Sequence, residues 1–432
     1  MRRGQTNFGF DEKNSVPLRS RQSRLDLQQN SAVPVHIVVG SSTRKDDAQT
    51  MRKTLRSNDA LVKEFRPVKT FNDHKAGHAV TSLDFDSTGE HALSASEDES
   101  MRLYDLRFAA SQPILSKKYG CHLARFTNAQ KDIVHASTKE NRASPFRLLF
   151  LRPVRKAGAL CSGMADAMIP IKLDHIRYLS LTGNSYVRYF QGHTATVCAL
   201  EMHPIDEMFL SAAVHESVRL WDTRSATPQG LLRVRHGEPI VAWHPNGLVF
   251  AVAMEACVHL YDVRNFDKAR FAWLRLPAAI AGAPRPAEET ITSLHFTPNA
   301  RYLVTTTSLG RHCVFDLHQH MPEKDTFRCA FQCGADHVSL SSQRLVDPTC
   351  TSSTSADGRY LFTNEAHRGG IAVWALSASE DAVHGSRPGD LVAHFYEKQK
   401  VGRLLMSPNA PMIATFATSV VTAPFLFSQH RS

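Results

Sequence analysis

The sequence predicts an all-β protein, a seven-bladed β-propeller, because one strand pattern recurs along its 432 residues. A Gly-His pair opens a short apolar strand, and an aromatic residue followed by Asp closes the third strand after it. The clearest copy runs from Gly192 and His193 to Trp221 and Asp222, with TVCALEMHP, MFLSAA and SVRLWD between them. Sibling segments end, after Tyr or Phe, at Asp105, Asp262 and Asp316.

This spacing is the WD-repeat pattern, in which each blade has three short alternating strands and a variable outer one. We assign three strands each to blade one (80–85, 91–96, 100–105), blade two (121–126, 132–137, 176–181) and blade three (196–204, 208–213, 217–222). Blade four has 240–245, 248–253 and 257–262, and blade five has 291–298, 302–307 and 312–316. Blade six is degenerate, and blade seven ends the repeat; their predicted strands are 360–365, 370–376; 402–408, 412–417 and 420–425.

Three regions surround or interrupt the repeats. Residues 1–60 are polar and basic and are predicted to be a disordered tail, which leaves 61–428 for the propeller. The strand FRPVKTF at 65–71 is expected to close the ring as the outer edge of the last blade. Residues 141–173 are a 33-residue insertion in blade two, predicted to be a disordered loop, because a long loop adds little closure entropy.

The net charge of +10 does not indicate a nucleic-acid-binding propeller. Residues 1–70 have fourteen Lys and Arg against seven Asp and Glu, and residues 141–173 have six against one. The predicted blades are therefore close to neutral, and we expect no direct sequence-specific binding of nucleic acid. No apolar run of about 18 residues occurs, and the N-terminus lacks a signal-peptide pattern, so we expect an intracellular protein without a membrane partner.

In a WD blade, a His, a Ser or Thr, the Trp and a turn carboxylate can form a buried hydrogen-bond network. Blade three has His193, Ser211 and Trp221, but the turn position holds His215, and blade one has Tyr104 in place of Trp. Both networks are expected to be incomplete, so that strand packing provides most of the stability. The repeat residues His193, Ser211, Trp221, Asp105, Asp222, Asp262 and Asp316 are interpreted as structural.

Motifs of catalysis or metal binding are weak. Cys329 and Cys333 with His337 resemble half of a zinc site, but no second pair lies at suitable spacing, so chance placement is the favoured interpretation. There is no Gly-rich phosphate loop, no G-x-S-x-G elbow and no suggestive carboxylate pair. We therefore predict a protein that is not an enzyme and has no cofactor.

Several segments contain residues that the repeat consensus does not specify: LSKKYGCHLARFTNAQ at 115–130, IRYLSLTGNSYVRYFQGH at 176–193 and YDVRNFDKARFA at 261–272. With QGLL at 229–232 and LVKEFRPVKTF at 61–71, they resemble one eukaryotic family. It is the WD-repeat adaptor subunit shared by COMPASS-type histone lysine methyltransferase complexes and RNA polymerase II termination and phosphatase complexes. The resemblance is strong over 61–275, fades in blades five to seven, and includes neither the basic tail nor the insertion.

The resemblance implies a non-catalytic scaffold in the nucleus that links a methyltransferase complex to the phosphorylated tail of RNA polymerase II and to transcription termination. The implied partners are methyltransferase complex subunits, the phosphorylated tail and a regulatory subunit of protein phosphatase one. Lys117 and Lys118 follow an outer strand and are predicted to bind phosphoserine through charge-assisted contacts. The alternative is that both lysines are solvated surface groups.

Two other functions remain open at the level of sequence. The aromatic-Asp-x-Arg boxes that contain Arg107, Arg224 and Arg264 resemble those of substrate receptors for cullin–RING ubiquitin ligases, in which the Arg would contact an adaptor. The simpler interpretation is that each Arg caps its own strand turn. A cytoplasmic scaffold also fits the composition, but it leaves the SKKYG and IRYLSL strings unexplained.

Overall fold

The structure is a computed structural model of the 432-residue chain. All described residues belong to one compact unit, Ala32–Val420, and a second unit, Met1–Ser31 with Val421–Ser432, lies outside them. The described residues are 33–39 (backbone only), 59–63, 65–75, 78–114, 116, 119–129, 132–139, 176–234, 237–265, 268–277, 289–321, 326–334, 350–364, 370–377, 387–396, 401–409 and 412–417. Within these ranges, no helix has the length and hydropathy of a membrane span.

The first elements in the chain are a strand, a short helix and a second strand: β1 (Val33–Val39), α1 (Asp59–Lys63) and β2 (Arg66–His74). Val62 of α1 and Phe65 beyond it are buried in one apolar cluster with Phe362. The rings of Phe65 and Phe362 lie 5.8 Å apart. These contacts pack α1 and the residue before β2 against Phe362.

The chain continues with six antiparallel sheets, each made of four consecutive strands. The first sheet contains β3 (Val80–Phe85), β4 (His91–Ser96), β5 (Met101–Asp105) and β6 (Ala110–Ile114). The second contains β7 (Ala124–Phe126), β8 (Asp132–Ala136), β9 (Ile176–Ser180) and β10 (Ser185–Phe190). The third contains β11 (Val197–Met202), β12 (Met208–Ala213), β13 (Ser217–Asp222) and β14 (Pro228–Arg233).

The next three sheets have the same order. The fourth sheet contains β15 (Ile240–Trp243), β16 (Val249–Met254), β17 (Cys257–Asp262) and β18 (Ala272–Arg275). The fifth contains β19 (Ile291–Phe296), β20 (Tyr302–Thr307), β21 (Arg311–Met321) and β22 (Thr326–Gly334). The sixth contains β23 (Ser352–Thr354), β24 (Tyr360–Asn364), β25 (Ile371–Ala375) and β26 (Leu391–Phe395). The central strands are buried on both faces, as in β20, where all six residues are buried. The outer strand β14 alternates between half-buried and exposed residues, because only one of its faces packs inward.

The last sheet is a composite of strands from both ends of the chain. Its order is β2, β1, β28 (Met412–Ala417) and β27 (Val401–Met406). Strand β1 pairs antiparallel with β28, for example Ile37 with Ala414, and on its other side with β2, for example Ile37 with Lys69. The N-terminal segment therefore holds the C-terminal hairpin in place.

The described residues thus form seven four-stranded sheets, and their innermost strands are neighbours in the cyclic order β3, β7, β11, β15, β19, β23, β27 and again β3. The hydrophobic core lies between adjacent sheets. Phe190 of the second sheet packs against Phe209 and Trp221 of the third, with the two Phe rings 4.9 Å apart. The predicted all-β propeller is confirmed.

The N-terminal part of the prediction requires a correction. Residues 1–60 were predicted to be a disordered tail, but Val33–Val39 form a paired strand. Five of the seven residues in VPVHIVV are Val or Ile, which favour strands, and the polar composition of the surrounding 60 residues hid this signal. Strand β2 lies at the outer edge of the last sheet, as predicted for 65–71, but it pairs with β1. The predicted strand at 420–425 lies outside the described residues, and β1 occupies the third position of this sheet.

The predicted insertion, residues 141–173, also lies outside the described residues. The strands on either side of it, β8 and β9, pair directly, with Ala136 opposite Ile176. Residues 137–175 therefore connect two neighbouring antiparallel strands.

Removal of β1 should destabilise the protein. A chain that starts at residue 41 lacks the strand that joins β28 to β2, whereas a chain that starts at residue 32 keeps it. We expect the shorter chain to lose about 2–5 kcal/mol of unfolding free energy, from roughly 1 kcal/mol for each of several unmade hydrogen bonds. Equilibrium urea unfolding of the two truncated chains measures the difference. Equal stability of both chains would contradict the role of β1.

Candidate functional site

The third sheet contains a complete buried polar network. Nε2 of His193 lies 2.6 Å from Oγ of Ser211, and Nε1 of Trp221 donates to the same Oγ at 2.8 Å. Nδ1 of His193 lies 2.9 Å from Oε2 of Glu216, and Nη2 of Arg219 donates to the other oxygen of Glu216 at 2.9 Å. Burial acts to raise the pKa of Glu216, but the hydrogen bonds from His193 and the Thr194 amide, together with the charges of His193 and Arg219, outweigh burial and lower it. The carboxylate therefore stays charged.

The first sheet repeats this arrangement with a tyrosine. Nε2 of His74 lies 2.7 Å from Oγ of Ser94, which is 3.1 Å from the hydroxyl oxygen of Tyr104. Nδ1 of His74 lies 3.5 Å from Oδ2 of Asp98, and the Ser100 hydroxyl donates to Oδ1 of Asp98 at 2.6 Å. Burial acts to raise the pKa of Asp98, yet these hydrogen bonds lower it overall.

The prediction that both networks are incomplete is therefore wrong. In the third sheet, the carboxylate comes from Glu216, one residue after the expected turn position. His215 has a φ of 53°, and its Nδ1 accepts a hydrogen bond from the amide of Gly237. In the first sheet, the Tyr104 hydroxyl takes the place of an indole N–H. A common spacing could have indicated both networks, because Ser94 and Ser211 each lie ten residues before the aromatic partner.

The three arginines of the aromatic-Asp-x-Arg boxes bind their own turns. Arg224 donates from Nε and Nη2 to the two carboxylate oxygens of Asp222 at 2.9 and 2.8 Å. Arg264 makes the same pair of bonds to Asp262 at 3.1 and 2.7 Å. Nη2 of Arg107 lies 3.5 Å from Oδ2 of Asp105, but its Nη1 makes a shorter ion pair, 3.1 Å, with Oε2 of Glu90 in the turn between β3 and β4.

These bonds have an electrostatic consequence. The hydrogen bond from Arg264 lowers the pKa of Asp262 to about 2, and Arg224 lowers that of Asp222. The fourth repeat aspartate, Asp316, is buried and accepts a hydrogen bond from the amide of His318 at 3.0 Å. The geometry agrees with the simpler interpretation, in which each Arg caps a strand turn.

Lys117 and Lys118, the predicted phosphoserine-binding residues, lie outside the described residues, but the ends of their loop are described. The carbonyl oxygen of Ser116 accepts hydrogen bonds from the amides of Tyr119 and Gly120 at 3.0 and 2.9 Å. Gly120 has a φ of 67°, a left-handed conformation that glycine adopts without strain. The described residues on either side of Lys117 and Lys118 are thus joined by backbone hydrogen bonds between β6 and β7.

An aromatic cluster supports this turn. The guanidinium carbon of Arg177, a fully buried residue, lies 3.8 Å from the ring centroid of Tyr119 and 5.7 Å from that of Tyr189. The Tyr119 and Tyr186 rings meet edge to face at 5.2 Å. The hydroxyl groups of Tyr186 and Ser116 lie 2.8 Å apart. Cation–π and aromatic contacts therefore connect the turn to β9 and β10.

This cluster was not predicted from the sequence, although all of its members belong to the strings that depart from the repeat consensus. Tyr119 belongs to the string at 115–130, and Arg177, Tyr186 and Tyr189 belong to the string at 176–193. Both strings depart from the repeat consensus. Their distinctive residues meet in space because Tyr119, between β6 and β7, contacts Arg177 of β9 and Tyr186 and Tyr189 of β10.

Cys329 and Cys333, two of the three residues that resemble half of a zinc site, lie on β22. The thiols of Cys313 and Cys329, on the paired strands β21 and β22, contact each other. His337 lies outside the described residues. In the described part of the chain, no group of three or more His, Cys, Asp or Glu side chains is arranged to hold a metal ion.

Comparisons with known proteins agree with the repeat pattern and with the strings. The family model "WD domain, G-beta repeat" matches residues 65–105 and 184–222. The chain is 36% identical over 220 residues to WD repeat-containing protein 82 of Drosophila melanogaster, which covers 50% of this chain and 58% of the relative. It is 33% identical over 264 residues to Set1 complex component swd2 of Schizosaccharomyces pombe, covering 60% and 62%.

A third relative is matched over more of its length. The chain is 32% identical over 269 residues to COMPASS component SWD2 of Saccharomyces cerevisiae, which covers 61% of this chain and 69% of the relative. The matches to the fly and fission-yeast proteins span about three fifths of the length of those relatives.

Replacement of Glu216 by Ala should destabilise the third sheet. The change leaves Nδ1 of His193 and the Arg219 guanidinium without their carboxylate partner. We expect a loss of about 1–3 kcal/mol of unfolding free energy, the usual cost of leaving buried polar groups unsatisfied. His215→Asn, which allows the positive φ at the neighbouring position, is the matched control and should cost less. Urea unfolding followed by tryptophan fluorescence measures the unfolding free energy of both variants. Equal losses of unfolding free energy in the two variants would contradict the stabilising role of the Glu216 carboxylate.

Proposed function

Because the chain belongs to the WD-repeat family that includes COMPASS component SWD2, we propose that it is a non-catalytic adaptor of a COMPASS-type histone lysine methyltransferase complex in the nucleus. The observation that carries this proposal is the similarity to SWD2 over 69% of that relative. The names of two relatives place those relatives in Set1 or COMPASS complexes.

The structure supports an adaptor through its rigidity. The buried His193 is engaged with Ser211 and Glu216 inside the third sheet. Turns between strands are fixed by local bonds, such as that from Arg224 to Asp222. A stiff frame that presents fixed turns is suited to binding partner proteins.

The alternative function, a substrate receptor of a cullin–RING ubiquitin ligase, is not supported. The relatives are named for Set1 and COMPASS complexes. The arginines on which the alternative depended, Arg224 and Arg264, already bind both oxygens of an aspartate in their own turn. A contact with an adaptor would have to compete with these bonds.

The finer part of the proposal concerns the turn that contains Lys117 and Lys118. We place there the contact with the phosphorylated tail of RNA polymerase II, and through it the link to termination. The proposal is supported by the residues that flank the two lysines: the Ser116 carbonyl accepts the amides of Tyr119 and Gly120, and Tyr119 packs on Arg177. A phosphoserine has a charge of about −1.5 to −2 and suits a pair of lysines. A regulatory subunit of protein phosphatase one is a further proposed partner.

Purification of the tagged full chain from nuclear extract tests the main proposal. We expect methyltransferase subunits of a COMPASS-type complex in stoichiometric amount, together with termination or phosphatase subunits. Mass spectrometry of the eluate provides the measurement. A stoichiometric cullin adaptor, or exclusion of the tagged protein from the nucleus, would refute the proposal.

The double variant Lys117→Glu and Lys118→Glu tests the phosphoserine contact. We expect its affinity for a phosphorylated polymerase-tail peptide to fall about tenfold or more, because two attractive charges become repulsive. Lys75→Glu with Lys268→Glu makes the same change in net charge at two other exposed lysines and serves as the control. Fluorescence anisotropy with a labelled peptide gives both affinities. If the two double variants bind equally, these lysines do not form the site.

A further inference from the structure

The innermost strands of the sheets have equivalent positions that hydrogen bonds between neighbouring sheets define. The Ala124 amide of the second sheet donates to Oγ of Ser82 in the first, at 2.9 Å. The Leu404 amide of the composite sheet donates in the same way to Oγ1 of Thr351, at 3.3 Å. In each bond, a side chain on one inner strand accepts an amide of the inner strand of the adjacent sheet, and that amide belongs to the residue one register position later. Ser82 and Thr351 are therefore equivalent.

A β-bulge extends this equivalence to other sheets. The pairing register shifts just before Ser82 in β3, Ala199 in β11 and Ser293 in β19. In β27 the register shifts between Val401 and Leu404, and Arg403 stands at the corresponding position. A cationic residue thus takes a place that sibling strands fill with Ser or Ala.

Arg403 lies on the strand nearest the axis of the ring, yet its side chain is exposed. Ser82, at the equivalent position in the first sheet, is fully buried. The preceding residue, Gly402, is held by the next sheet, because Nδ2 of the buried Asn364 donates to its carbonyl oxygen at 2.6 Å. A bulge that is fixed in this way directs the side chain after it. Because β27 borders the inner strands β3 and β23, we infer that this exposed side chain faces the axial channel of the ring.

The charges around the channel leave Arg403 uncompensated. Nε of Arg125 donates to Oε2 of Glu201 at 3.1 Å, so these two charges neutralise each other. Asp84 accepts a hydrogen bond from the Phe126 amide, and burial raises its pKa to about 7. Among the described residues, no carboxylate lies within ion-pair distance of Arg403. The Arg403 side chain reaches solvent, but the protein around it partly desolvates the guanidinium; together with the nearby Arg125, this lowers the pKa of Arg403 to about 10, so the group stays charged at neutral pH.

We propose that the axial channel binds an oxyanion, a phosphate or a carboxylate, through the guanidinium of Arg403. A solvent-accessible guanidinium without a carboxylate partner, partly desolvated by the protein around it, can bind an anion that supplies two oxygens to its planar fork of N–H donors. The anion is either a free ion or an acidic or phosphorylated side chain of a peptide that enters the channel. This site is separate from the turn that contains Lys117 and Lys118, and it does not depend on the complex to which the protein belongs.

Thermal unfolding of the full chain with increasing inorganic phosphate, at ionic strength held constant with sodium chloride, tests the proposal. Phosphate stabilises many proteins by exclusion from their surface, so the informative quantity is the difference between variants. We expect phosphate to raise the melting temperature of the parent chain by roughly 2 °C more than that of Arg403→Ser. Serine occupies the equivalent positions in β3 and β19, so this variant is compatible with the strand.

Three further variants complete the experiment. Arg403→Gln keeps the length of the side chain without its charge and should lose the phosphate effect as Arg403→Ser does. Arg264→Ser, which removes an exposed arginine from an outer turn, should keep it. The double variant Lys117→Glu and Lys118→Glu should also keep it, which separates this site from the proposed peptide contact. Phosphate responses of Arg403→Ser and Arg403→Gln equal to that of the parent chain would overturn the proposal.

A phosphoserine peptide and its unphosphorylated counterpart then distinguish the two sources of the anion. Binding of the phosphorylated peptide that Arg403→Ser abolishes, and that inorganic phosphate displaces, identifies a side-chain ligand. A response to inorganic phosphate without peptide binding identifies a free ion. In either case, the parent chain and Arg403→Ser must differ for the proposal to stand.

Discussion

The structure depends on one constraint: every sheet must have a neighbour on both faces. The central strands of each sheet are apolar or small at nearly every position, as in β20, and a sheet with an open face would expose this surface to water. A ring satisfies the constraint only if its last sheet is complete. Here the completing strand is β1, which comes from the opposite end of the chain and pairs with β28 on one side and β2 on the other. The stability of the whole ring is thereby coupled to a seven-residue segment.

Within this frame, several buried polar side chains are arranged in hydrogen-bonded networks. His193, Ser211, Trp221 and Glu216 form one such network, and His74, Ser94, Tyr104 and Asp98 form another with different residue types. The exchange of Trp for Tyr, and the shift of the acid by one position, show that hydrogen-bond satisfaction is retained while the consensus residues are not. The inner strands use the same principle between sheets, where a side chain such as Ser82 accepts the amide of the next strand. Arg403 breaks this pattern and leaves a charge in the channel.

Much of the architecture and part of the candidate site could be predicted from the sequence. The strands of the first and third to fifth sheets follow their apolar alternation, because local pattern and final environment agree there. The three-residue strand β23, Ser352–Thr354, was missed because it is short and wholly polar, and its burial comes from neighbouring sheets. The local function of Arg224 and Arg264 was anticipated as one of two interpretations, because an Arg two residues after an Asp can reach it without any tertiary contact. The cluster of Arg177 with Tyr119 and Tyr189 was not anticipated, because its members are far apart in the chain.

By itself, the sequence determined the repeat, the all-β class and the family, because these follow from periodic strands and from unusual strings such as SKKYG and IRYLSL. Only the tertiary structure decided which strand completes the last sheet, which carboxylate completes each network, and which arginine faces the axis. These outcomes depend on contacts between residues that are distant in the chain. Ile37 and Ala414 pair across almost the full length of the protein, and no local pattern specifies such a partner.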